Sequence, residues 1–218
     1  MITTEKLTVA YGRTLALDAI DLVITEGVTG LFGPNASGKS TLLRALAGLL
    51  PPTRGRVLLN GREVRASDED FRRKVGYVGH DSGLYGRLSV HENLELWARL
   101  YGAPAARVDD LLGQIDLGPR AGTRVDQLSA GFKRRAAVAR ALLHEPELLL
   151  LDEPYANLDD DASELISTAV KAWRRPGRIA VIATHGAKKV RAFADARVVL
   201  IRGRVAGHLT PEMLAARS

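Results

Sequence analysis

The chain has no cysteine, few aromatic residues (5% of 218 residues) and no long apolar segment. Without cysteine it has no disulfide framework and no thiol chemistry. Its apolar runs all fall well short of the roughly 20 residues that a helix needs to cross a bilayer. The first residues, Met1 to Lys6, lack the basic-then-apolar pattern of an export signal. We therefore expect a cytoplasmic location.

Basic residues are in excess and give the chain a formal net charge of +6. Such a balance is typical of nucleic-acid-binding proteins, but it also suits a protein that binds an anionic nucleotide near an anionic membrane surface. Lysine and arginine are spread along the chain and do not form a block. We therefore favour the second interpretation and expect no nucleic-acid partner.

Strand patterns dominate the first third of the chain, and helical patterns dominate the middle third. Apolar or alternating runs predict strands at 7–10, 20–24 and 28–32, and Asn60-Gly61 is a two-residue hairpin signal. Helices are predicted from Lys39 to Leu46, after the capping box of Ser89 and Glu92, and over 105–115 and 130–143.

The last third alternates between strand and helix patterns. Strands are predicted at 148–151, 179–183 and 198–201, with a helix over 160–173. Such alternation indicates a parallel sheet with crossover helices. Thr210-Pro211-Glu212 resembles the cap and first turn of a last short helix. With no internal repeat and no long linker, the chain is predicted to be one folding unit with an inserted helical lobe.

A glycine-rich run follows a strand pattern and precedes a helical one, which fits the phosphate-loop pattern G-x-x-x-x-G-K-[ST]. Small residues let backbone N–H groups turn inward around phosphate oxygens, and the helix N-terminus favours an anion. Lys39 is expected to reach the β- and γ-phosphates, and Ser40 to bind Mg²⁺ through its hydroxyl. The candidate nucleotide contacts are Gly33, Pro34, Asn35, Ala36, Ser37, Gly38, Lys39, Ser40 and Thr41.

A second site is predicted where four leucines at 148–151 are followed by Asp152 and Glu153. The apolar run suits a strand buried on both faces, and open α/β sheets place ligands at the carboxyl ends of their strands. Asp152 is therefore expected to hold Mg²⁺ through water. Glu153 is the better candidate for polarising an attacking water molecule.

The run Leu128-Ser129-Ala130-Gly131-Phe132 resembles the signature motif of ATP-binding-cassette (ABC) ATPases, which usually reads Leu-Ser-Gly-Gly-Gln. Together with the two sites above, it makes the chain similar to that family over nearly its whole length. Ala130 stands for the first glycine and Phe132 for the glutamine. Because alanine disfavours a left-handed conformation, we expect ordinary backbone angles at Ala130.

The resemblance implies a P-loop NTPase fold: a mixed-sheet α/β core with an N-terminal antiparallel β lobe and an inserted α-helical lobe. We expect residues 1–79 and 144–218 to form the nucleotide-binding core with the β lobe, and residues 80–143 to form the helical lobe. It also implies ATP and Mg²⁺ as cofactors, an ATP-dependent homodimer, membrane-spanning transporter subunits as partners, and a peripheral location at the cytoplasmic face of the cell membrane.

Several site residues take their roles from this resemblance. Glu153 corresponds to the family residue that polarises water, and His185 corresponds to the switch histidine that senses the γ-phosphate. Tyr11 is expected to stack on adenine, the alternative being an ordinary turn tyrosine. Ser129 and Gly131 are expected to contact the γ-phosphate held by a second copy. Asp159 is expected to cross that dimer interface, to cap the helix that follows it, or to do both.

His80 stands where the family usually has a glutamine that touches Mg²⁺ or water. We expect a neutral His80 to act as the acceptor in its place. The Gly79-His80 pair and Ala130 resemble the ATP-binding subunit of the haem exporter of cytochrome c maturation. This implies haem export or haem release from a membrane complex as the task of the protein.

Three other functions stay open at this point. The first is an ABC exporter of drugs or lipids. The second is an ABC ATPase that acts on nucleic acid, although such proteins usually carry a coiled-coil insert or two cassettes, and this chain has one set of motifs. The third is another P-loop enzyme such as a GTPase, although the chain has no Asn-Lys-x-Asp base-recognition motif.

Overall fold

The computed structural model describes residues 1–185, 187–210 and 213 of the chain. The described residues form two β-sheets with helices packed against them. The strands are β1 (Ile2–Tyr11), β2 (Thr14–Ile24), β3 (Gly27–Phe32), β4 (Arg54–Leu59), β5 (Arg62–Glu63), β6 (Val75–Val78), β7 (Leu148–Asp152), β8 (Ile179–Thr184), β9 (Ala196–Ile201) and β10 (Arg204–Leu209).

The smaller sheet is antiparallel, with four strands in the order β2-β1-β4-β5. Its β4–β5 turn is made by Asn60 (φ 50°) and Gly61 (φ 80°). Both angles are positive, as the hairpin turn typical of an Asn-Gly pair requires. The predicted N-terminal antiparallel lobe and the predicted hairpin are therefore confirmed.

The larger sheet has six strands in the order β10-β9-β3-β8-β7-β6, and all neighbours except β10 and β9 pair in parallel. The parallel sheet is thus confirmed, with an antiparallel edge strand that makes it mixed. Strand β10 was not predicted. None of its residues is fully buried and its sequence has no continuous apolar run, so it carries little strand signal.

The helices are α1 (Lys39–Leu46), α2 (Glu69–Arg73), α3 (Val90–Tyr101), α4 (Ala106–Gln114), α5 (Ala130–Leu142), α6 (Asp160–Trp173) and α7 (Ala187–Arg191). The predicted helices agree with α1, α3, α4, α5 and α6 to within about a residue. The capping box forms as predicted: Glu92 N donates to Ser89 Oγ (3.1 Å) and Ser89 N donates to the Glu92 carboxylate (2.7 Å). The five-residue helices α2 and α7 were not predicted.

The core lies on both faces of the larger sheet. In β7, Leu148 and Leu150 belong to one apolar cluster, and Leu149 and Leu151 belong to the other. This period of two is the side-chain alternation of a strand covered on both faces. The first cluster joins the sheet to α1 and the antiparallel lobe, and the second joins it to α3, α4, α5 and α6. Burial of each leucine side chain contributes roughly 1.5–3 kcal/mol to the stability of the fold.

The segment between β6 and β7 contains the helices α3, α4 and α5, with short 3₁₀ turns at Gly118–Arg120 and Val125–Gln127. Its buried residues share their apolar cluster with the sheet. The boundaries of a helical lobe at 80 and 143 stay a prediction. Of the proposed last helix, Pro211 and Glu212 lie outside the described residues. Among the helices described, none combines the length and the apolar character of a membrane span.

Candidate functional site

The residues predicted from separate motifs meet at the carboxyl edge of the larger sheet. In the strand registers, Phe32 is level with Thr184, Ala183 with Asp152, and Leu151 with Val78. The phosphate loop, His185, Glu153 and the Gly79-His80 pair therefore leave the same edge from four adjacent strands. Neighbouring strands are about 4.8 Å apart, so the groups face one ligand-sized space.

The phosphate loop depends on backbone conformations that its glycines allow. Gly33 (φ 151°) and Gly38 (φ 103°) both have positive φ, and so has Ala36 (φ 60°). A Cβ on Gly33 would lie 2.1 Å from the Leu200 carbonyl oxygen, and a Cβ on Gly38 would lie 2.5 Å from the Ala16 carbonyl oxygen. No side chain fits in such spaces, so the loop needs glycine at both positions.

Lys39 lies inside this loop. Its Nζ donates to the carbonyl oxygens of Gly33 (2.9 Å) and Pro34 (3.1 Å), and the residue is only 6% exposed. An ammonium group has three donors, so one remains for a phosphate oxygen beyond these described contacts. Ser40 is exposed in the first turn of α1, which begins at Lys39, and Pro34, Asn35 and Ala36 are exposed at the loop tip.

Two buried oxygen atoms at the site have no hydrogen-bond partner in the described structure. They are Ser37 Oγ in the phosphate loop and Asp152 Oδ1 at the end of β7, where Asp152 is 5% exposed. A buried carboxylate oxygen without a partner costs free energy, and a bound cation or its water shell would satisfy it. Asp152 therefore fits the predicted Mg²⁺. No cluster of three metal-binding side chains occurs among the described residues.

Glu153 and His185 are in direct contact. Glu153 Oε1 accepts from the backbone N of His185 (2.9 Å) and lies 2.9 Å from its Nδ1. The Glu153 side chain is 25% exposed and the His185 side chain 65% exposed. Glu153 also has a left-handed backbone (φ 48°), which is uncommon for a residue other than glycine and typical of functional sites. The two bonds fix one carboxylate oxygen, while the exposed imidazole can still meet a ligand.

His80 is an exposed residue at this edge of the sheet. Its side chain is 92% exposed, with Nδ1 3.8 Å from a carboxylate oxygen of Asp81. No hydrogen bond or ion pair joins His80 to Ser40 or Asp152 among the described residues. It borders a cavity of about 290 Å³ that is also lined by Asp81, Ser82, Ala130, Lys133, Arg134, Ala137, Ala156 and Asn157. Its predicted role at Mg²⁺ stays a prediction.

The signature residues begin α5 at the surface. Ser129 caps the helix, with Phe132 N donating to its Oγ at 3.5 Å, and both Ser129 and Ala130 are exposed. Ala130 is the first residue of the helix, so its backbone is right-handed, as expected. A Cβ on Gly131 would lie 3.1 Å from the Leu158 side chain. The helix N-terminus thus packs closely against the loop that leads to Asp159 and still presents Ser129 to solvent.

Phe132, which replaces the family's glutamine, turns towards arginine side chains. Its ring lies 4.5 Å from the guanidinium carbon of Arg135 and 5.6 Å from that of Arg120. Arg135 is 7% exposed, and it donates to the carbonyl oxygens of Ile115 (2.9 Å) and Asp116 (3.1 Å). Phe132 therefore packs against Arg135 within α5, and the Arg135 hydrogen bonds tie α5 to the end of α4. These contacts were not predicted from the sequence, where Phe132 only stood for the glutamine.

Asp159 caps α6, because its Oδ1 accepts from Ala162 N at 2.7 Å. The capping half of its predicted double role is thus present. Tyr11 ends β1 with 50% of its surface exposed. Its hydroxyl, after that of Tyr77, raises the pKa of Arg44 on α1. Tyr11 is therefore near the helix that follows the phosphate loop, and adenine stacking stays a prediction.

Comparisons with known proteins agree with this geometry. The family model described as ABC transporter matches residues 17–156. The cytochrome c biogenesis ATP-binding export protein CcmA of Paraburkholderia xenovorans is 38% identical over 85% of this chain and 90% of its own length. The daunorubicin resistance ATP-binding protein DrrA3 of Streptomyces coeruleorubidus is 35% identical over 100% of this chain and 70% of its own length.

Solved structures give the same result. A dimeric ATP-binding cassette in a post-hydrolysis state, bound to ADP and Pi, is 30% identical with a TM-score of 0.86, covering 97% of this chain and 99% of that one. The predicted fold is thereby confirmed over almost the entire chain. The chain therefore belongs to the ABC transporter family, as an ATP-binding and ATP-hydrolysing subunit.

Proposed function

We propose that two copies of this chain close on ATP and, by hydrolysing it, drive a membrane-spanning partner at the cytoplasmic face of the cell membrane. The observation that carries the proposal is the contact of Glu153 with His185 at the sheet edge that also holds the phosphate loop. A carboxylate held at such a place can orient and polarise water against a terminal phosphate.

In this proposal the phosphate loop binds the triphosphate and Glu153 activates the attacking water. Lys39 and the loop N–H groups neutralise the triphosphate, with the N-terminus of α1 pointing towards it. Ser40 and Asp152 would hold Mg²⁺, which supplies charge neutralisation of the phosphate oxygens. Glu153 accepts a hydrogen bond from the attacking water. His185, on the same carboxylate, contacts the γ-phosphate and responds to its loss.

The exposed N-terminus of α5 supports a composite site between two copies. Ser129 Oγ and the N–H of Gly131 are donors for a charged phosphate oxygen, worth roughly 1.5–3 kcal/mol each. Because Ser129 is exposed, the phosphate it meets is proposed to be held by the Lys39 loop of the second copy. ATP then acts as the link between two incomplete sites, with Asp159 crossing the same interface.

For the cargo, we propose haem export or haem release in cytochrome c biogenesis. Support comes from the Gly79-His80 pair, from Ala130 and from the 38% identity to a cytochrome c biogenesis ATP-binding export protein. A drug exporter is the second candidate, favoured by the 35% identity to a daunorubicin resistance protein. A soluble ABC ATPase acting on nucleic acid is a third and weaker candidate.

A strain in which Lys39 is replaced by Ala tests the transport role and the cargo together. We expect the loss of covalently bound haem from the c-type cytochromes, measured by haem staining, with unchanged drug sensitivity. Lys171→Ala is the matched control, because Lys171 is a half-exposed lysine of α6 that pairs with Glu164. Normal cytochromes with increased drug sensitivity would favour the second candidate. A strain with neither defect would contradict both.

A further inference from the structure

Among the described strands, β6 is an edge strand of the larger sheet and pairs only with β7. The Lys74 carbonyl faces β7, where it accepts from Leu148 N at 3.0 Å. Carbonyls alternate in direction along a strand. The carbonyls that point away from β7 therefore belong to Val75, Tyr77 and Gly79.

Side chains from α5 and its C-terminal end reach all three of these carbonyls. Arg134 Nη1 donates to Gly79 O at 2.7 Å, Arg140 Nη2 donates to Tyr77 O at 2.7 Å, and His144 Nε2 lies 3.1 Å from Val75 O. These three hydrogen bonds, which we call the edge ladder, replace the N–H groups of a further strand. They satisfy buried carbonyls and tie the signature helix to the edge strand.

Two members of the edge ladder have surroundings that explain them as packing. The Arg140 guanidinium lies 5.1 Å from the Trp97 ring, and burial lowers its pKa. The His144 ring stacks on Tyr101 with centroids 4.0 Å apart. The carbonyl that His144 contacts, Val75 O, is at the end of β6 far from the carboxyl edge. The carbonyl that Arg140 contacts, Tyr77 O, is in the middle of the strand.

Arg134 differs from Arg140 and His144 because it lies at the carboxyl edge of the larger sheet. Gly79 is the last residue before His80, and it follows Val78, which is level with Leu151 in the register. Burial is the largest influence on the pKa of Arg134 and lowers it, whereas the charges of Asp152 and Glu153 act in the opposite direction. The guanidinium is thus held on the Gly79 carbonyl, on the wall of the His80 cavity, where the charges of the two carboxylates act on it.

We propose that Arg134 is a positioning residue for ATP hydrolysis. By holding the Gly79 carbonyl, it fixes where the His80 loop begins relative to Glu153, and it makes this loop move together with the signature helix. The inference rests on the proposed roles of Glu153 and His80. A rigid connection of this kind matters because a displacement of about 1 Å at a reacting group can cost about 100-fold in rate.

The first test compares Arg134→Gln with Arg140→Gln in the full-length protein. Both variants remove a guanidinium that donates to a carbonyl of β6 or of the residue after it, but only Arg134 is under the influence of the Asp152 and Glu153 charges. We expect Arg134→Gln to lower the kcat of ATP hydrolysis by about 10- to 100-fold with little change in KM. Arg140→Gln should lower the melting temperature and leave kcat close to the parental value. Arg134→Lys, which keeps a charged donor, should recover part of the lost kcat.

The second test asks whether Arg134 acts through the His80 loop. In a double-mutant cycle with His80→Ala, the kcat losses of Arg134→Gln and His80→Ala should not multiply. Adding Arg140→Gln to His80→Ala should leave the kcat of His80→Ala unchanged. Multiplying losses for Arg134, or a His80→Ala variant with parental kcat, would overturn the proposal. If Arg134→Gln does not fold, the same cycle is measured with Arg134→Lys.

Glu153→Gln, assayed in parallel, separates this inference from the proposed function. Parental turnover in Glu153→Gln would remove the proposed base even if Arg134 and His80 are coupled. An inactive Glu153→Gln together with multiplying losses in the Arg134 cycle would leave the base assignment intact and overturn the positioning role. The two failures therefore give different patterns.

Discussion

At the scale of the residue, polar groups that are largely buried shape how the stability of the protein depends on pH. His144 is an example, because it is largely buried between Tyr101 and the edge of β6. Burial is the largest cause that lowers its pKa to about 4, helped by the Arg140 charge and opposed by the bond to Val75 O. The imidazole is therefore neutral at neutral pH, and its Nε2 carries the proton that is donated to the carbonyl.

This depressed pKa predicts a loss of stability in mild acid. Between pH 6.5 and 4, the unfolded chain binds a proton at His144 that the folded chain does not. The free energy of unfolding therefore has its full value above this range and falls as the pH drops, by about 1.4 kcal/mol per unit. His144→Gln keeps an amide donor but cannot titrate. We expect denaturant titrations at pH 7.5 and 5 to show a decrease about 2 kcal/mol smaller in His144→Gln than in the parental protein.

The carboxylates of the chain titrate in both proteins, so the difference between the two isolates His144. His80→Gln, at a side chain that is 92% exposed, is the control for the exchange of an imidazole for an amide. Equal pH dependence in the parental protein and His144→Gln would contradict the depressed pKa.

At the scale of the element, capping decides where the helices near the site begin. Asp159 caps α6 through the Ala162 N–H (2.7 Å), and its carbonyl accepts from Ser163 Oγ (2.7 Å). Asp160 and Asp161 follow in the first turn, where the helix dipole favours negative charge. The position of the loop between Glu153 and α6 therefore depends on this cap.

Paired substitutions at Asp159 separate capping from catalysis. Asp159→Ala removes the cap and should cost about 1 kcal/mol, seen as a melting temperature lower by about 2–4 °C in a chain of this size. Asp159→Asn keeps a good cap and should melt close to the parental protein. If Asp159 also crosses the dimer interface through its charge, both variants should lose ATP turnover. A parental melting temperature for Asp159→Ala would contradict the capping role.

The elements that the sequence predicted are those with a strong local signal. The capping box of Ser89, the Asn60-Gly61 turn and the leucines of β7 each determine their structure through neighbours in the chain. The edge strand β10 lacks such a signal. Helix α2 has a local cap, since Asp68 accepts from Phe71 N at 3.1 Å, but its five residues are too few to show an apolar period. The edge ladder was missed for a similar reason: it depends on how α5 lies across β6, which no local pattern in the sequence records.

At the scale of the whole molecule, one chain brings together part of an ATPase site. The sheet edge holds the phosphate loop, Asp152, Glu153 and His185, all of which the sequence motifs indicated. Ser129 is exposed at the start of α5, where it can serve a second copy. The Arg134 contact and the exposed position of His80 could not be predicted, since both depend on the path of the chain after β6.

Mixing two inactive variants tests the shared site most directly. Glu153→Gln lacks the proposed base, and Ser129→Arg blocks the surface that faces the second copy. A mixed dimer would contain one site in which Glu153 of one chain meets Ser129 of the other, both unchanged. We predict that each variant alone is inactive and that an equal mixture recovers up to about a quarter of the parental turnover, because half of randomly formed dimers contain one intact site. Turnover in the mixture no higher than the average of the two variants measured alone would contradict a site shared between two copies.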